Sequence, residues 1–97
     1  MEDARSDTPV AIPIHSHEGS LVGHTLIDAR DHDTIAAHTW RLSSNRYVVR
    51  SETIAGKKRT IYLHRHIAAT PAGTITDHIN GDRLDNRRSN LRQATLS

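Results

Sequence analysis

The chain has no cysteine and no phenylalanine, and its aromatic residues are limited to Trp40, Tyr47 and Tyr62. Without cysteine there is no disulfide framework, no thiolate zinc site and no cysteine nucleophile. Only 35% of the 97 residues are hydrophobic, so a large enzyme core is excluded and one small domain, or two minimal modules, remain. No hydrophobic run approaches the roughly 18 residues of a membrane span, and the acidic N-terminus does not resemble a signal peptide. We therefore expect a soluble cytoplasmic protein with no membrane partner.

The net charge of +2 conceals an uneven distribution. Residues 1–35 contain seven acidic and two basic side chains, whereas residues 36–97 contain four acidic and eleven basic ones. A basic surface binds polyanions through phosphate contacts and the release of counterions. The C-terminal two-thirds is thus a candidate nucleic-acid-binding module, but charge alone does not distinguish such a module from an ordinary basic surface.

Local patterning predicts an α+β fold of short strands and short helices. The two β-rich runs RYVVRSE and KKRTIYL, separated by TIAG, predict a hairpin in which one face is cationic and the other is packed. Upstream, Asp28 or Asp31 is expected to cap a short helix that runs to about Trp40. The other predicted elements are a disordered start (residues 1–9), an edge strand (10–14), a strand (25–28), one or two helical turns (64–69), a joint (71–73) and two short strands (74–78 and 91–94).

The densest group of chemically active side chains lies in the segment TDHINGDRLDNRRSNLR. Hydrolysis of a phosphodiester requires a base that activates water, a cation that stabilises charge on the phosphate, and donors that hold the phosphate. Histidine is the natural base near neutral pH, which makes His78 the candidate, and Asp77 is a hard oxygen ligand suited to Mg²⁺ or Mn²⁺. Adjacent strand residues point to opposite faces, so this pair converges only at a strand end, which the turn signal in INGD indicates. Four arginines of the segment are candidate phosphate contacts: Arg83, Arg87, Arg88 and Arg92.

A second interpretation assigns the Asp and Asn residues of DHINGDRLDN to turns and the arginines to a solvated surface. A calcium-binding EF-hand is excluded, because Ile79 occupies a position that requires an oxygen ligand. The His-x-His pairs at residues 15 and 17 and at residues 64 and 66 suit zinc or nickel chelation, but their spacing places no third ligand. Ordinary structural histidines are therefore the favoured interpretation of both pairs.

The string YLHRHIAATPAGTITDHINGDRLDNRRSNLRQAT resembles the HNH homing endonucleases of phages and mobile introns, in the subgroup whose motif contains LHR, DHING and LDNRRSNLR. The preceding segments HTLIDARDHDTIAAHTW and RYVVR…GKKRTIYLHR resemble the AP2-like DNA-binding portion that often precedes this nuclease motif. The similarity is dense over residues 61–95 and only loose before residue 23. It implies an N-terminal polar segment (residues 1–22), an AP2-like β-hairpin or sheet with short helices that binds DNA (23–70), and an incomplete HNH ββα-metal motif (71–97).

Carried over by position, the resemblance implies that His78 is the general base and that Asp77 ligates a catalytic divalent metal, Mg²⁺ or Mn²⁺. Asn90 is the middle asparagine of the motif, which orients the loop and the base. The two short strands at residues 74–78 and 91–94 would form the ββ part of the motif, and its helix would start near Thr95.

One feature of the family pattern has no counterpart in the chain. The last motif residue, an Asn or His that completes the metal site, would fall beyond Ser97, the final residue of the sequence. Three expectations follow from this departure: a truncated reading frame, a decayed mobile element, or a shortened form that binds DNA without cutting it. The sequence does not rank the three.

Two functions, one catalytic and one not, fit these sequence features best. The first is a metal-dependent HNH endonuclease that nicks or cuts double-stranded DNA in a bacterial or phage-infected host cell, and the second is a non-catalytic DNA-binding module or remnant of such a nuclease. A purely structural or protein-interaction domain is the third. A hairpin of this length covers about half a helical turn of DNA, so a long target site would require more protein or a homodimer. The hairpin cations expected to position the DNA or contact its bases are Arg46, Arg50, Lys57, Lys58 and Arg59.

Overall fold

The computed structural model describes residues 8–95, so the expectations for residues 1–7 and for a helix after Thr95 lie outside the described residues. A five-stranded sheet and a two-stranded sheet are joined by short helices, which confirms the α+β class. No helix in this range is long and apolar enough to cross a membrane. The elements are β1 (Pro9–His15), β2 (Leu21–Asp28), a 3-10 turn (Ala29–Asp31), α1 (His32–Ala36), β3 (Trp40–Leu42), β4 (Val48–Ile54), β5 (Lys57–Tyr62), α2 (Leu63–Ala68), β6 (Thr74–His78), a second 3-10 turn (Arg88–Asn90) and β7 (Leu91–Thr95).

The first sheet has the strand order β2-β1-β3-β4-β5. The strand predicted at residues 10–14 forms, but its placement at the edge of a sheet is wrong, because β1 pairs antiparallel with β2 and parallel with β3. Ile12 and Ile14 alternate along β1 and are both buried. The parallel pairing of Ile14 with Trp40 gives β1 its second neighbour in the sheet, and the inward face of β1 packs into the hydrophobic core.

The helix predicted to run to about Trp40 ends at Ala36, and Trp40 begins β3 instead. The buried indole Nε1 of Trp40 donates to the backbone oxygen of Ile35 at 2.8 Å, which turns the chain back onto α1. The predicted caps are also wrong, since neither Asp28 nor Asp31 makes a side-chain cap hydrogen bond. Both carboxylates bind a distant part of the chain.

The predicted hairpin is confirmed as β4 and β5, paired antiparallel from Val49 opposite Tyr62 outward. Its two-residue turn, Ala55 and Gly56, has φ values of 52° and 79°, the left-handed geometry that joins two strands tightly. The expectation of one packed face holds only near the core. All four residues 57–60 are exposed, because the outer half of the hairpin extends beyond the rest of the molecule.

Two kinds of interior hold the fold together. Nine hydrophobic and nine polar or charged side chains are buried within residues 8–95. Most of the polar ones lie in β6, in the loop that follows it, or in the part of β2 that faces this loop. The second sheet is therefore held largely by hydrogen bonds and ion pairs, whereas the first has a hydrophobic core. The hydrophobic cluster consists of Ile12, Ile14, Ile27, Ile35, Trp40, Val48, Leu63 and Ile67.

The loop between β6 and β7 is docked on β2 by backbone hydrogen bonds. The Leu26 nitrogen donates to the Leu84 oxygen at 2.9 Å, and the Asn86 nitrogen donates to the Leu26 oxygen at 2.8 Å. On the other side, Arg65 of α2 donates to the Thr74 oxygen of β6 at 3.1 Å. The division into an N-terminal segment, an AP2-like region and an HNH motif stays a prediction. The hydrogen bond from Arg65 to Thr74 crosses its boundary at residue 70. Its boundary at residue 22 falls inside β2.

Candidate active site

His78 is the last residue of β6, and only 7% of its surface is exposed. Burial alternates along this strand, so His78 and Thr76 face the interior while Asp77 lies on the exposed face. The strand end is pinned by a backbone hydrogen bond from Ile79 to the oxygen of Asn90 at 2.8 Å. The strand ends where the sequence predicts, but the candidate base and the candidate metal ligand occupy its opposite faces, so their convergence on one phosphate stays a prediction.

Asn86 is the direct hydrogen-bond partner of His78, with 2.8 Å between Nε2 of the imidazole and Oδ1 of the amide. The amide nitrogen of Asn86 donates to Thr25 Oγ1 at 2.8 Å. The hydroxyl of Thr25 donates in turn to the backbone oxygen of Leu84 at 2.7 Å. Asn86 and Thr25 are 1% and 0% exposed. A buried line of polar groups therefore connects β2 of the first sheet to His78 of the second.

Asn90 closes the loop after β6. Its Oδ1 accepts a hydrogen bond from the Asn80 backbone nitrogen at 3.1 Å. Its Nδ2 donates to the Asn80 side chain and to the Asp85 backbone oxygen, both at 2.9 Å. These bonds support the loop-orienting role implied for Asn90, which stays a prediction. Within residues 8–95 the Asn90 side chain makes no hydrogen bond to His78, so any effect on the base passes through the loop backbone.

Aromatic rings pack beside His78. Tyr47 stacks on His64 with their ring centroids 4.9 Å apart, and the His64 centroid is 5.1 Å from that of His78. The guanidinium carbon of Arg83 lies 4.6 Å from the Tyr47 ring centroid. Burial, together with the nearby His78 and Arg65, lowers the pKa of His64 to about 4. The His64 side chain is therefore uncharged at neutral pH and lines the site beside His78.

Asp77 lies opposite Arg92 in the β6–β7 ladder and accepts two hydrogen bonds on Oδ2, from Nη2 at 3.0 Å and from Nε at 3.2 Å. No group of three or more His, Cys, Asp or Glu side chains in the described part of the chain is arranged to hold a metal ion. Mg²⁺ is commonly bound by one or two carboxylates together with substrate phosphates. Asp77 therefore fits as a carboxylate ligand of a cation shared with a phosphate, and within residues 8–95 it is not part of a preformed group of metal ligands.

Arg87 and Arg88, both predicted phosphate contacts, are held by carboxylates. Arg87 donates two hydrogen bonds to Asp85, at 2.7 and 2.6 Å, and these lower the pKa of the Asp85 carboxyl. Arg88 donates to both oxygens of Asp31, at 2.9 and 2.7 Å, while its backbone nitrogen donates to Asp28 at 2.9 Å. The same bonds raise the pKa values of Arg87 and Arg88. The loop is thereby fastened to itself and to the end of β2.

The hairpin cations occupy two different environments. The side chain of Arg50 is only 14% exposed, lies over the Trp40 ring at 5.6 Å and is 3.6 Å from the Glu52 carboxylate. The other four are exposed and form no ion pair with any residue that the structure describes: Arg46, Lys57, Lys58 and Arg59.

The sequence pattern assigns Asn86 no separate role and does not point to Thr25 or Tyr47 at all. Thr25 and Asn86 are 61 residues apart in the chain, so no local spacing relates them. The one available signal is that Thr25 and Ile27 alternate on β2 and would face inward together. A buried threonine on such a strand is usually part of the core, so the pattern does not identify it as a neighbour of the site.

Residues 61–97 match the HNH endonuclease family. This range contains Asp77, His78 and Asn90 as well as His64, whereas Thr25 lies outside it. Comparisons with curated proteins and with solved structures returned no significant match. The match supports the HNH part of the resemblance over these residues. The homing type and the AP2-like character of the preceding residues stay predictions.

Proposed function

We propose that the chain is a metal-dependent endonuclease of the homing type, which hydrolyses phosphodiester bonds of double-stranded DNA by nicking or by double-strand cleavage. The observation that carries this proposal is the arrangement at the end of β6. A buried histidine, His78, is held by Asn86 beside an exposed carboxylate, Asp77, inside the range similar to HNH endonucleases.

His78 acts as the general base and takes a proton from the water that attacks phosphorus, while the 3′ oxygen leaves. Asp77 would hold Mg²⁺ or Mn²⁺, and that ion would supply positive charge that stabilises the phosphate and the leaving oxygen. Asn90 keeps the loop closed, so that the end of β6 presents both side chains in fixed positions.

The DNA lies against the exposed cations. Lys57, Lys58 and Arg59 provide phosphate contacts along β5. Arg83 lies over Tyr47 near His78, and Arg46 directly precedes Tyr47 in the chain. DNA binding would then use a basic surface on the hairpin and a second one around Tyr47, near the candidate base. Because the hairpin alone spans little DNA, a homodimer would extend the recognised site.

The deciding experiment is a supercoiled-plasmid nicking assay with Mg²⁺ or Mn²⁺, comparing the native chain with His78→Ala and with His24→Ala as a matched control on the exposed side of β2. General-base catalysis is worth roughly 10²- to 10⁴-fold. We expect His78→Ala to lose about that much activity and to bind DNA as the native chain does, and we expect His24→Ala to behave as the native chain. Equal cleavage by His78→Ala would remove His78 from the mechanism.

A non-catalytic DNA-binding module is the second candidate, and one observation favours it. The Asp77 carboxylate is engaged by Arg92, and residues 8–95 offer no cluster of further ligands for a cation. In that case the native chain would bind DNA with a strong salt dependence but would leave plasmid uncut with either metal. Binding and nicking measured on the same preparation separate the two functions.

A further inference from the structure

We propose that Asn86 and Thr25 are positioning residues that hold neutral His78 with its proton on Nε2, so that Nδ1 is the atom that receives the proton from water. The inference deepens the proposed function and rests on it. It follows from the chain of hydrogen bonds that begins at a backbone oxygen, because such an oxygen can only accept.

The direction of each bond in this chain is determined from its far end. The Leu84 oxygen accepts from the Leu26 backbone nitrogen at 2.9 Å and from the Thr25 hydroxyl at 2.7 Å, which uses both of its lone pairs. Thr25 has one hydroxyl proton, and that proton is committed to Leu84. Its Oγ1 can therefore only accept from Asn86, 2.8 Å away.

The orientation of the Asn86 amide follows from that constraint. Its Nδ2 must face Thr25, and from there it also donates to the Arg83 backbone oxygen at 3.3 Å. A flipped amide would place Oδ1 against the Arg83 oxygen, where two acceptors repel, and against a hydroxyl that has no proton to offer. The flipped state is thus disfavoured at two contacts.

With the amide fixed, Oδ1 of Asn86 faces His78 Nε2 at 2.8 Å. An amide oxygen only accepts, so Nε2 must carry the proton and the lone pair of the neutral ring is left on Nδ1. Nδ1 makes no hydrogen bond to residues 8–95. It is also absent from the buried side-chain atoms without a partner in that range, which are His15 Nδ1 and Arg50 Nε. Within residues 8–95, Nδ1 is therefore neither paired nor fully enclosed.

Burial makes this arrangement rigid. Thr25 and Asn86 are almost fully enclosed, and the Asn86 backbone is fixed to Leu26 of β2 at 2.8 Å. Neither side chain can exchange its partner for water, and leaving one of these groups unpaired would be costly. The first sheet thus sets the reacting atom of a base that lies on the second sheet.

The primary test is direct observation of the His78 tautomer, by a two-bond proton–nitrogen correlation spectrum of the imidazole groups recorded at a pH where the rings are neutral. The His78 signals are assigned by their loss in His78→Gln. We expect the native chain to show the proton on Nε2. A native chain with the proton on Nδ1 would overturn the inference, and this measurement needs neither DNA nor metal.

Thr25→Val and Thr25→Ser form the matched pair of variants. Valine removes the hydroxyl that orients the amide, so we expect a mixture of His78 tautomers and a nicking rate lowered by about 10- to 100-fold, with DNA affinity unchanged. Serine retains the hydroxyl, and we expect the native tautomer and native activity. A native tautomer and native rate in folded Thr25→Val would overturn the role of Thr25.

The two proposals fail in distinguishable ways. A native chain that nicks DNA while His78 carries its proton on Nδ1 overturns the positioning inference and leaves the proposed endonuclease intact. A native chain that shows the expected tautomer but never nicks DNA supports the hydrogen-bond chain and overturns the proposed function.

Discussion

The β4–β5 hairpin and the loop of residues 79–90 are both rich in cations but use them in opposite ways. On the hairpin, Lys57 and Lys58 are exposed and form no ion pair with any described residue. In the loop, Arg87 and Arg88 are each bound by both oxygens of a carboxylate. A cation without a partner is available to phosphate, whereas a paired one has to give up its carboxylate first.

The comparison separates positioning of DNA from maintenance of the site. A surface cation contributes to binding mainly by releasing counterions, and it contributes little to stability. A partly buried ion pair cannot lose one partner without leaving the other charge poorly solvated. Arg50 behaves like the paired loop arginines despite its place on the hairpin, because it lies over Trp40 and near Glu52.

The largest expected effect is loss of the loop anchor in Arg88→Met. Removing the guanidinium leaves the Asp31 carboxylate, whose side chain is 12% exposed, without its partner. We expect the free energy of unfolding to fall by about 2 kcal/mol, measured by urea denaturation. Arg59→Met on the hairpin is the control and should change it by under about 0.5 kcal/mol. Equal losses in the two variants would remove the distinction between the regions.

The second effect concerns DNA binding by the hairpin. We expect the double variant Lys57→Gln, Lys58→Gln to bind DNA about tenfold more weakly and to lower the slope of log affinity against log salt by about 2. Fluorescence anisotropy over a salt series measures both quantities. Arg50→Gln serves as the control, since its side chain is largely buried. A reduced slope in Arg50→Gln would place Arg50 among the DNA contacts.

The third effect is a loss of folding stability at acidic pH that arises from His64, which lies beside His78. The pKa of His64 is about 4 in the folded chain against 6.5 for the free side chain, so the unfolded state binds a proton that the folded state does not. The contribution of neutral His64 to the free energy of unfolding is fully present above about pH 6.5 and is lost as the pH drops toward 4. After allowance for solvent screening, we expect this loss to be about 1 kcal/mol.

His64→Phe tests this assignment because the ring can still stack on Tyr47. Urea denaturation at pH 7 and at about pH 4.5 should show a smaller difference for the variant than for the native chain. The lowered pKa of Asp85 adds its own loss of stability only at more acidic pH. An unchanged difference in His64→Phe would assign the acid sensitivity to other groups.

The smallest effect is expected for Arg92→Gln. Arg92 and Asp77 are 63% and 49% exposed at their side chains, so their ion pair is well solvated. We expect a change in the free energy of unfolding below about 0.5 kcal/mol, measured by urea denaturation beside Arg88→Met. A loss as large as that of Arg88→Met would show that exposure does not separate anchoring arginines from surface ones.

Elements governed by neighbouring residues could be predicted well. The hairpin and the strands of β6 and β7 follow from alternation and from turn signals such as those around Gly56 and Gly81. The interior position of β1 and the early end of α1 could not be predicted. Both depend on Trp40, whose burial joins β3 to β1 and bonds back to Ile35.

The residues of the candidate site likewise fall into those that local sequence predicts and those that it does not. The position of His78 and Asp77 at a strand end could be predicted, because adjacent residues and a turn signal are local information. The folded arrangement alone brings Asn86 to the imidazole and Thr25 of β2 to Asn86. It also pairs two of the loop arginines, Arg87 and Arg88, with Asp85 and Asp31. Hydrogen bonds and ion pairs between residues far apart in the chain depend on which groups burial brings together, and no spacing in the sequence encodes that.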